Sequence, residues 1–281
     1  MIGAFLQFVI HTWLRVTGKT ISITEYPWLN GPYGITGIIG DSYYKEFAAQ
    51  QNLELNVNQH GGLLQQFLSV INRDDPNYQK LNPRVKHFYE NTSLYTLEVW
   101  SEWYGILSVF AKILIGTVSK RMNQLNIPLS PLATSKGMSS EIISLLSKST
   151  QQQEYACWLR KLRKTNEVVY AGFYSFCKTP ALAYPCVKVV FPLPKGNVTV
   201  ILRVEIQEDG SVKLISDNAY KNGPGYYRTM VLKDTFRKIK KIPLQETIHV
   251  YEDEEGILRT DHLFYFMKIK LLHLHYKMIL K

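Results

Sequence analysis

An α+β fold, with a helical N-terminal half packed on a curved antiparallel β-sheet from the C-terminal half, is predicted by three features of this sequence. The first is alternation between Cys186 and Ile206. Val187, Val189, Phe191 and Leu193 share one face before Pro194-Lys195-Gly196-Asn197, and Val198, Val200, Leu202, Val204 and Ile206 share one face after it. A side-chain period of two marks a β-strand, and its apolar face needs helices, a second sheet or a bound apolar molecule over it. The second is apolar spacing of three and four residues in several stretches before residue 165, the period of a helix face. The third is a pair of hairpin signals, Glu208-Asp209-Gly210 and Glu254-Glu255-Gly256.

Residues 1–16 are apolar but have no Lys or Arg ahead of the apolar run, and His11, Trp13 and Arg15 interrupt it. This argues against a cleaved leader, and the stretch is shorter than the roughly 20 residues a spanning helix needs. The expectation is a helix docked on the body. A helix lying in a bilayer interface with Phe5, Phe8 and Trp13 inserted is the alternative. Asp41 or Ser42 opens a helix through Tyr43, Tyr44, Phe47 and Ala48, and Leu63, Leu64, Phe67, Leu68 and Ile71 form an apolar stripe. Asn82 caps the next helix and Pro83 starts it.

Residues 99–122 read as a helix with Glu98 and Glu102 on one face, and Lys112 marks its apolar part as a core helix, not a membrane span. Ser139 or Ser140 opens a helix through Leu146, and residues 154–164 form a last helix with a basic face. Strands follow over 167–176, 186–193, 197–206, 211–216, 226–232, 245–251 and 257–266, while 267–281 fits strand or helix. The prediction is thus a helical region, 1–164, and a β region, 165–281, sharing one core. Seven or eight strands can curl into a barrel-like sheet.

Hydrophobic residues make up 46% and charged residues 20%, the balance of a globular chain. The net charge is +10, and residues 161–281 hold 20 Lys and Arg against 12 Asp and Glu. A basic half favours anionic partners. Cys157, Cys177 and Cys186 lack metal-ligand spacing and give no disulfide framework, which points to a reducing, cytoplasmic setting with membrane association open.

Candidate chemistry is sparse. Glycines recur every third residue in Asn30–Asp41, but no Walker lysine follows, so close packing is the expected role. His273 and His275 share one side if their segment is a strand and can then hold a metal, with His249, His262 or Asp261 completing it. Thr260-Asp261-His262 pairs a carboxylate with an imidazole, but no nucleophile in an activating context accompanies them. Arg160, Lys161, Arg163 and Lys164, with Arg237, Lys238, Lys240 and Lys241, are expected to form an anion-binding surface. No zinc finger, RNP pattern or recognition helix accompanies them, so sequence-specific nucleic-acid binding is not expected.

The leading functional expectation is binding of an apolar or lipid-like small molecule between helices and sheet, at an anionic membrane surface and with no cofactor. Tyr170, Tyr174, Val189, Phe191, Val200, Leu202 and Val204 are the expected pocket. The alternatives are an enzyme with a His/Asp or metal site near the end of the sheet, and a pocketless peripheral interaction protein.

Overall fold

A computed structural model describes residues 2–35, 37–57, 61–129, 137–233 and 235–281. Its helices are α1 (Ile2–Thr17), α2 (Tyr43–Gln50), α3 (Pro83–Glu90) and α4 (Leu107–Leu114). The last continues through a π-helical turn, Ile115–Ser119, into Lys120–Met122. Five strands precede residue 165: β1 (Lys19–Ser22), β2 (Leu53–Asn56), β3 (Tyr95–Trp103), β4 (Met138–Ser147) and β5 (Gln153–Leu162). Then come β6 (Val168–Cys177), β7 (Cys186–Leu193), β8 (Gly196–Ile206), β9 (Val212–Ser216) and β10 (Gly225–Lys233). The last four are β11 (Phe236–Ile242), β12 (Leu244–Glu252), β13 (Leu258–Phe266) and β14 (Ile269–Leu280).

The α+β fold is present, with N-terminal helices packed on an antiparallel sheet. The sheet runs β2-β4-β5-β6-β7-β8-β9-β12-β13-β14-β3. β8 is the branch point. Its first half pairs with β10, which leads on to β11 and β1, and its second half pairs with β9. The sheet does not close into a barrel. β3 and β4 come near each other, but no ladder joins them among the described residues.

Several local expectations hold. Asn82 caps α3, its side chain accepting from the Arg84 amide at 2.8 Å, with Pro83 at the first helical position. Both acidic turns make hairpins, with Gly210 and Gly256 at φ 81° and 74°, a conformation that favours glycine. Other expectations fail. Residues 139–146 and 154–162 are strands β4 and β5, and the stretch expected as one helix from 99 splits into the end of β3 and then α4. Only a short 3-10 turn, Phe67–Val70, forms within the Leu63–Ile71 stripe.

The two failures at 139–146 and 154–162 share a cause: β4 and β5 are covered on both faces, so their buried residues run almost continuously and the period of two is lost. Across the outer face lies α2, whose Tyr43 and Phe47 meet Phe173 edge-on, beside Ile143, Leu145, Cys157 and Leu159. The inner face joins the main core, where α3 contributes Val85, Phe88 and Tyr89.

Phe173 is fully buried and also meets Tyr155 edge-on. Phe173→Ala is expected to lower unfolding free energy by about 3–5 kcal/mol, read from urea denaturation. A loss under about 1 kcal/mol would mean that α2 is not seated as described.

Candidate functional site

The end of the sheet formed by β12, β13, β14 and β3 has two faces with different chemistry. Register places His249 opposite Asp261, Asp261 opposite His275, and His275 opposite Trp100. These residues share the outer face, with His273 one pleat along β14 and Glu102 as its partner on β3. Because β14 is a strand, His273 and His275 point to the same side.

Asp261 joins them. Its Oδ1 lies 2.9 Å from His273 Nε2 and 2.8 Å from His275 Nδ1. An ionised carboxylate only accepts, so each imidazole donates from that nitrogen and its neutral tautomer is fixed. The candidate ligand atoms of Asp261, His273 and His275 all lie within 4.8 Å of one another, and the three residues are half-buried. Burial alone would raise the Asp261 carboxyl, but hydrogen bonds from His275, His273 and Tyr251 outweigh it and hold the group below the ordinary carboxylate range. This cluster near the end of the sheet can form a metal or catalytic site.

His249 has a separate network. Ser211 donates its proton to Asp209 at 2.6 Å, so His249 Nε2, at 2.8 Å, must donate to Ser211 Oγ. Burial, then Lys213, lower the His249 pKa. A serine whose proton goes to a carboxylate and whose oxygen accepts from the imidazole is not set up as a nucleophile. The expected Asp261–His262 pairing also fails, because adjacent strand residues face opposite ways. Arg259 pairs with Asp253 instead of Asp261.

His262 faces inward, where its Nε2 lies 2.8 Å from Glu246 Oε2, and the Tyr226 hydroxyl donates to the same oxygen at 2.6 Å. These groups reach a cavity of about 350 Å³ whose lining is mostly apolar. Tyr170, Tyr174, Val189, Phe191 and Leu202 line it, while Val200 and Val204 are buried in the surrounding cluster. Tyr170, Tyr174, Phe191, Ile248 and Phe264 point into the fold yet are only half-buried, because open space lies against them. Burial raises Tyr174, Tyr226 and Tyr276, keeping their hydroxyls neutral. Ala111, Leu114, Ile115 and Ser119 of α4 and its π-helical turn line the cavity too.

Of the eight residues expected on a basic surface, Arg160 and Arg237 are buried and the other six reach solvent in part or fully. Arg160 is fully buried, and its guanidinium carbon lies 5.2 Å from the Trp158 ring and 5.8 Å from the Tyr276 ring. Lys161, on the opposite face of the same strand, pairs with Asp41 and Glu141. Arg163 and Lys164 are exposed. Arg237, Lys238, Lys240 and Lys241 lie on β11, not on a loop. Arg237 is buried, while Lys238, Lys240 and Lys241 donate to the carbonyls of Gly18, Thr17 and Tyr220. In Asn30–Asp41, Lys188 donates to the Asn30 carbonyl and the Asn197 amide to that of Pro32, the close packing expected there. Glu98 and Glu102 lie on the outer face of a strand, not of a helix, and Glu102 accepts from the Tyr104 hydroxyl at 2.5 Å.

The fold and site define an open antiparallel sheet under helices, with a two-histidine, one-aspartate cluster outside and an apolar cavity inside. No protein-family model matches the chain, and no solved structure matches it. It is 25% identical over 236 residues to the uncharacterized membrane protein YndJ of Bacillus subtilis (strain 168), covering 83% of this chain and 40% of that protein. The chain thus spans about two fifths of that relative's length. Among the described residues, no helix is long and apolar enough to cross a membrane.

Asp261 is expected to titrate below about 3.9 in an NMR carboxyl titration. Its depressed pKa stabilises the fold above that value, and this stabilisation fades as pH falls through the native pKa. In a His273→Ala/His275→Ala double variant the titration should move up. An unmoved midpoint would show that the two imidazoles do not hold the carboxylate.

Proposed function

We propose that Asp261, His273 and His275 bind a divalent transition-metal ion and that the chain uses it for metal-assisted hydrolysis. One observation carries this reading: two imidazoles and a carboxylate converge on one point of the outer face. That donor set suits zinc and its first-row neighbours. Three protein ligands leave a position for water, which bound zinc brings to a pKa near 7. Glu102, the register partner of His273 on the same face, is a candidate for a fourth ligand or a base.

A metal ion competes with protons for the imidazole and carboxylate lone pairs, so affinity should fall on acidification. Titration calorimetry with zinc, and the visible spectrum of the cobalt form, test the site. Asp261→Asn and the double histidine variant are expected to weaken binding at least about a hundredfold. Equal zinc affinity in wild type and double variant would end the proposal.

A second reading, the binding of an apolar ligand at an anionic bilayer face, is favoured by the cavity together with two exposed helix faces. α1 exposes Ile2, Phe5, Phe8, Trp13 and Val16, and α4 exposes Val109, Phe110, Ile113 and Leu114. The two segments pack closely, since a Cβ on Gly3 would lie 2.7 Å from the Thr117 carbonyl oxygen. Exposed Arg15, Lys120 and Arg121 lie on the same segments and supply charge for acidic head groups. The name of the Bacillus relative as a membrane protein agrees with this reading. Co-sedimentation with phosphatidylglycerol vesicles should fall about tenfold or more in a Phe5→Ser/Phe8→Ser/Phe110→Ser variant. Unchanged co-sedimentation would remove these faces from the interface.

A further inference from the structure

Among the described residues four large cationic side chains are buried, and three of them donate to a backbone carbonyl. Lys188 donates to the Asn30 carbonyl at 3.0 Å, Arg228 to that of Asn197 at 3.0 Å, and Arg237 to that of Phe236 at 3.0 Å. Arg160 differs. Its Nε, Nη1 and Nη2 are all buried; the neutral Tyr170 hydroxyl interacts with the guanidinium, but among the described residues no carbonyl or carboxylate accepts from it. A guanidinium presents five N–H donors, and leaving them unmet away from water is costly. Ring faces at 5.2 and 5.8 Å attract the charge but accept no conventional hydrogen bond.

The position of Arg160 shows what its partner is. It stands opposite Tyr170 across the β5–β6 ladder, two residues along β5 from Trp158, so all three side chains project from the cavity side of the sheet. The flanking rings, Trp158 and Tyr276, both line the cavity. The cavity's own carboxylate cannot serve both ends, because Glu246 already accepts from Tyr226 and contacts His262. The cavity therefore has an apolar middle, one satisfied acidic corner and, behind the Trp158, Tyr170 and Tyr276 rings of its wall, a guanidinium that no carbonyl or carboxylate meets among the described residues.

We infer that Arg160 anchors the anionic head of a single-tailed amphiphile whose hydrocarbon part fills the cavity. This rests on the apolar-ligand reading above and adds the ligand's charge and polarity. An anionic head with two or three oxygens matches the guanidinium fork, and the neutral Tyr170 hydroxyl, which already contacts the guanidinium, lines the cavity beside it. About 350 Å³ lies at the small end of ligand sites, which favours one tail over two. A carboxylate and a phosphate monoester share this chemistry and differ in source.

Titration calorimetry of the full chain with decanoate, decyl phosphate, decanol and decyltrimethylammonium tests the inference. The two anions are expected to bind about ten- to a hundredfold more tightly than decanol, with the cation weakest. The tighter anion identifies the head group. In Arg160→Met, which keeps the side chain's bulk, that preference should vanish while decanol affinity stays within about threefold. The ligand-free variant should melt no lower than wild type, because an unmet buried charge has been removed. If Arg160→Met does not fold, Arg160→Lys serves. It retains charge without the fork and should lose part of the preference. Equal binding of decanoate and decanol by wild type overturns the anionic anchor but leaves the cavity reading standing. Binding of none of the four overturns both.

Discussion

The register of β12, β13 and β14 is the constraint on which the rest depends. Alternation along three paired strands sorts the functional side chains into two compartments. His249, Asp261, His273 and His275 go outside, and Glu246, His262 and Tyr276 go inside. A slip of one residue in β13 would carry Asp261 into the cavity and His262 out to solvent, breaking both networks at once. The polar contacts guard against such a slip. Asp261 bonds to β14 on one face while His262 meets Glu246 of β12 on the other, so β13 is pinned to each neighbour from opposite sides. The continuation through β9 to β8 places these strands across the cavity from β5 and β6, which is how Tyr276 comes to lie near Arg160.

Legibility of the sequence followed burial. From β7 onward the inner and outer faces mostly differ in polarity, so strands, hairpin turns and even the shared side of His273 and His275 could be read directly. β4 and β5 could not. With α2 over one face and the core over the other, Ile142-Ile143-Ser144-Leu145-Leu146 is almost wholly apolar, and such a run fits strand or helix equally well. Arg160 and Lys161 illustrate the consequence. As neighbours on a helix they join one basic surface, whereas on a strand one turns into the core and the other towards Asp41 and Glu141. The partners of the site were hidden for another reason. Neither strand order nor register is written locally, so the junction of Asp261 with two histidines and the inward pairing of His262 with Glu246 appear only once the sheet is assembled.

The two charges around the cavity are treated unequally, and stability does not explain why. Glu246 accepts from Tyr226 and contacts His262 within the fold, the partners a buried carboxylate needs. Arg160 has two aromatic rings, worth about 2 kcal/mol when desolvated, and the neutral Tyr170 hydroxyl, against an effective penalty of several kcal/mol for an ion out of water. A methionine or leucine at this position would fill similar space without that cost. On the amphiphile reading, the cavity and the guanidinium behind its wall would serve one ligand.

α4 connects the interior to the outside. Ala111 and Leu114, with Ile115 of the adjoining turn, face the cavity, while Val109, Phe110 and Ile113 face solvent, so one short helix is apolar on both sides. Among the described residues nothing covers the outer set, and an uncovered apolar patch marks a contact surface. A π-helical turn directly follows, an irregularity often found at functional positions because it re-aims side chains at modest cost. On the membrane reading these properties belong together. The side chains that enter a bilayer interface are carried by the wall between that interface and the cavity, so a small tilt of α4 toward lipid would widen the cavity on the side from which an amphiphile would come. The tail would then enter along apolar α4, and the head would follow until it met Arg160.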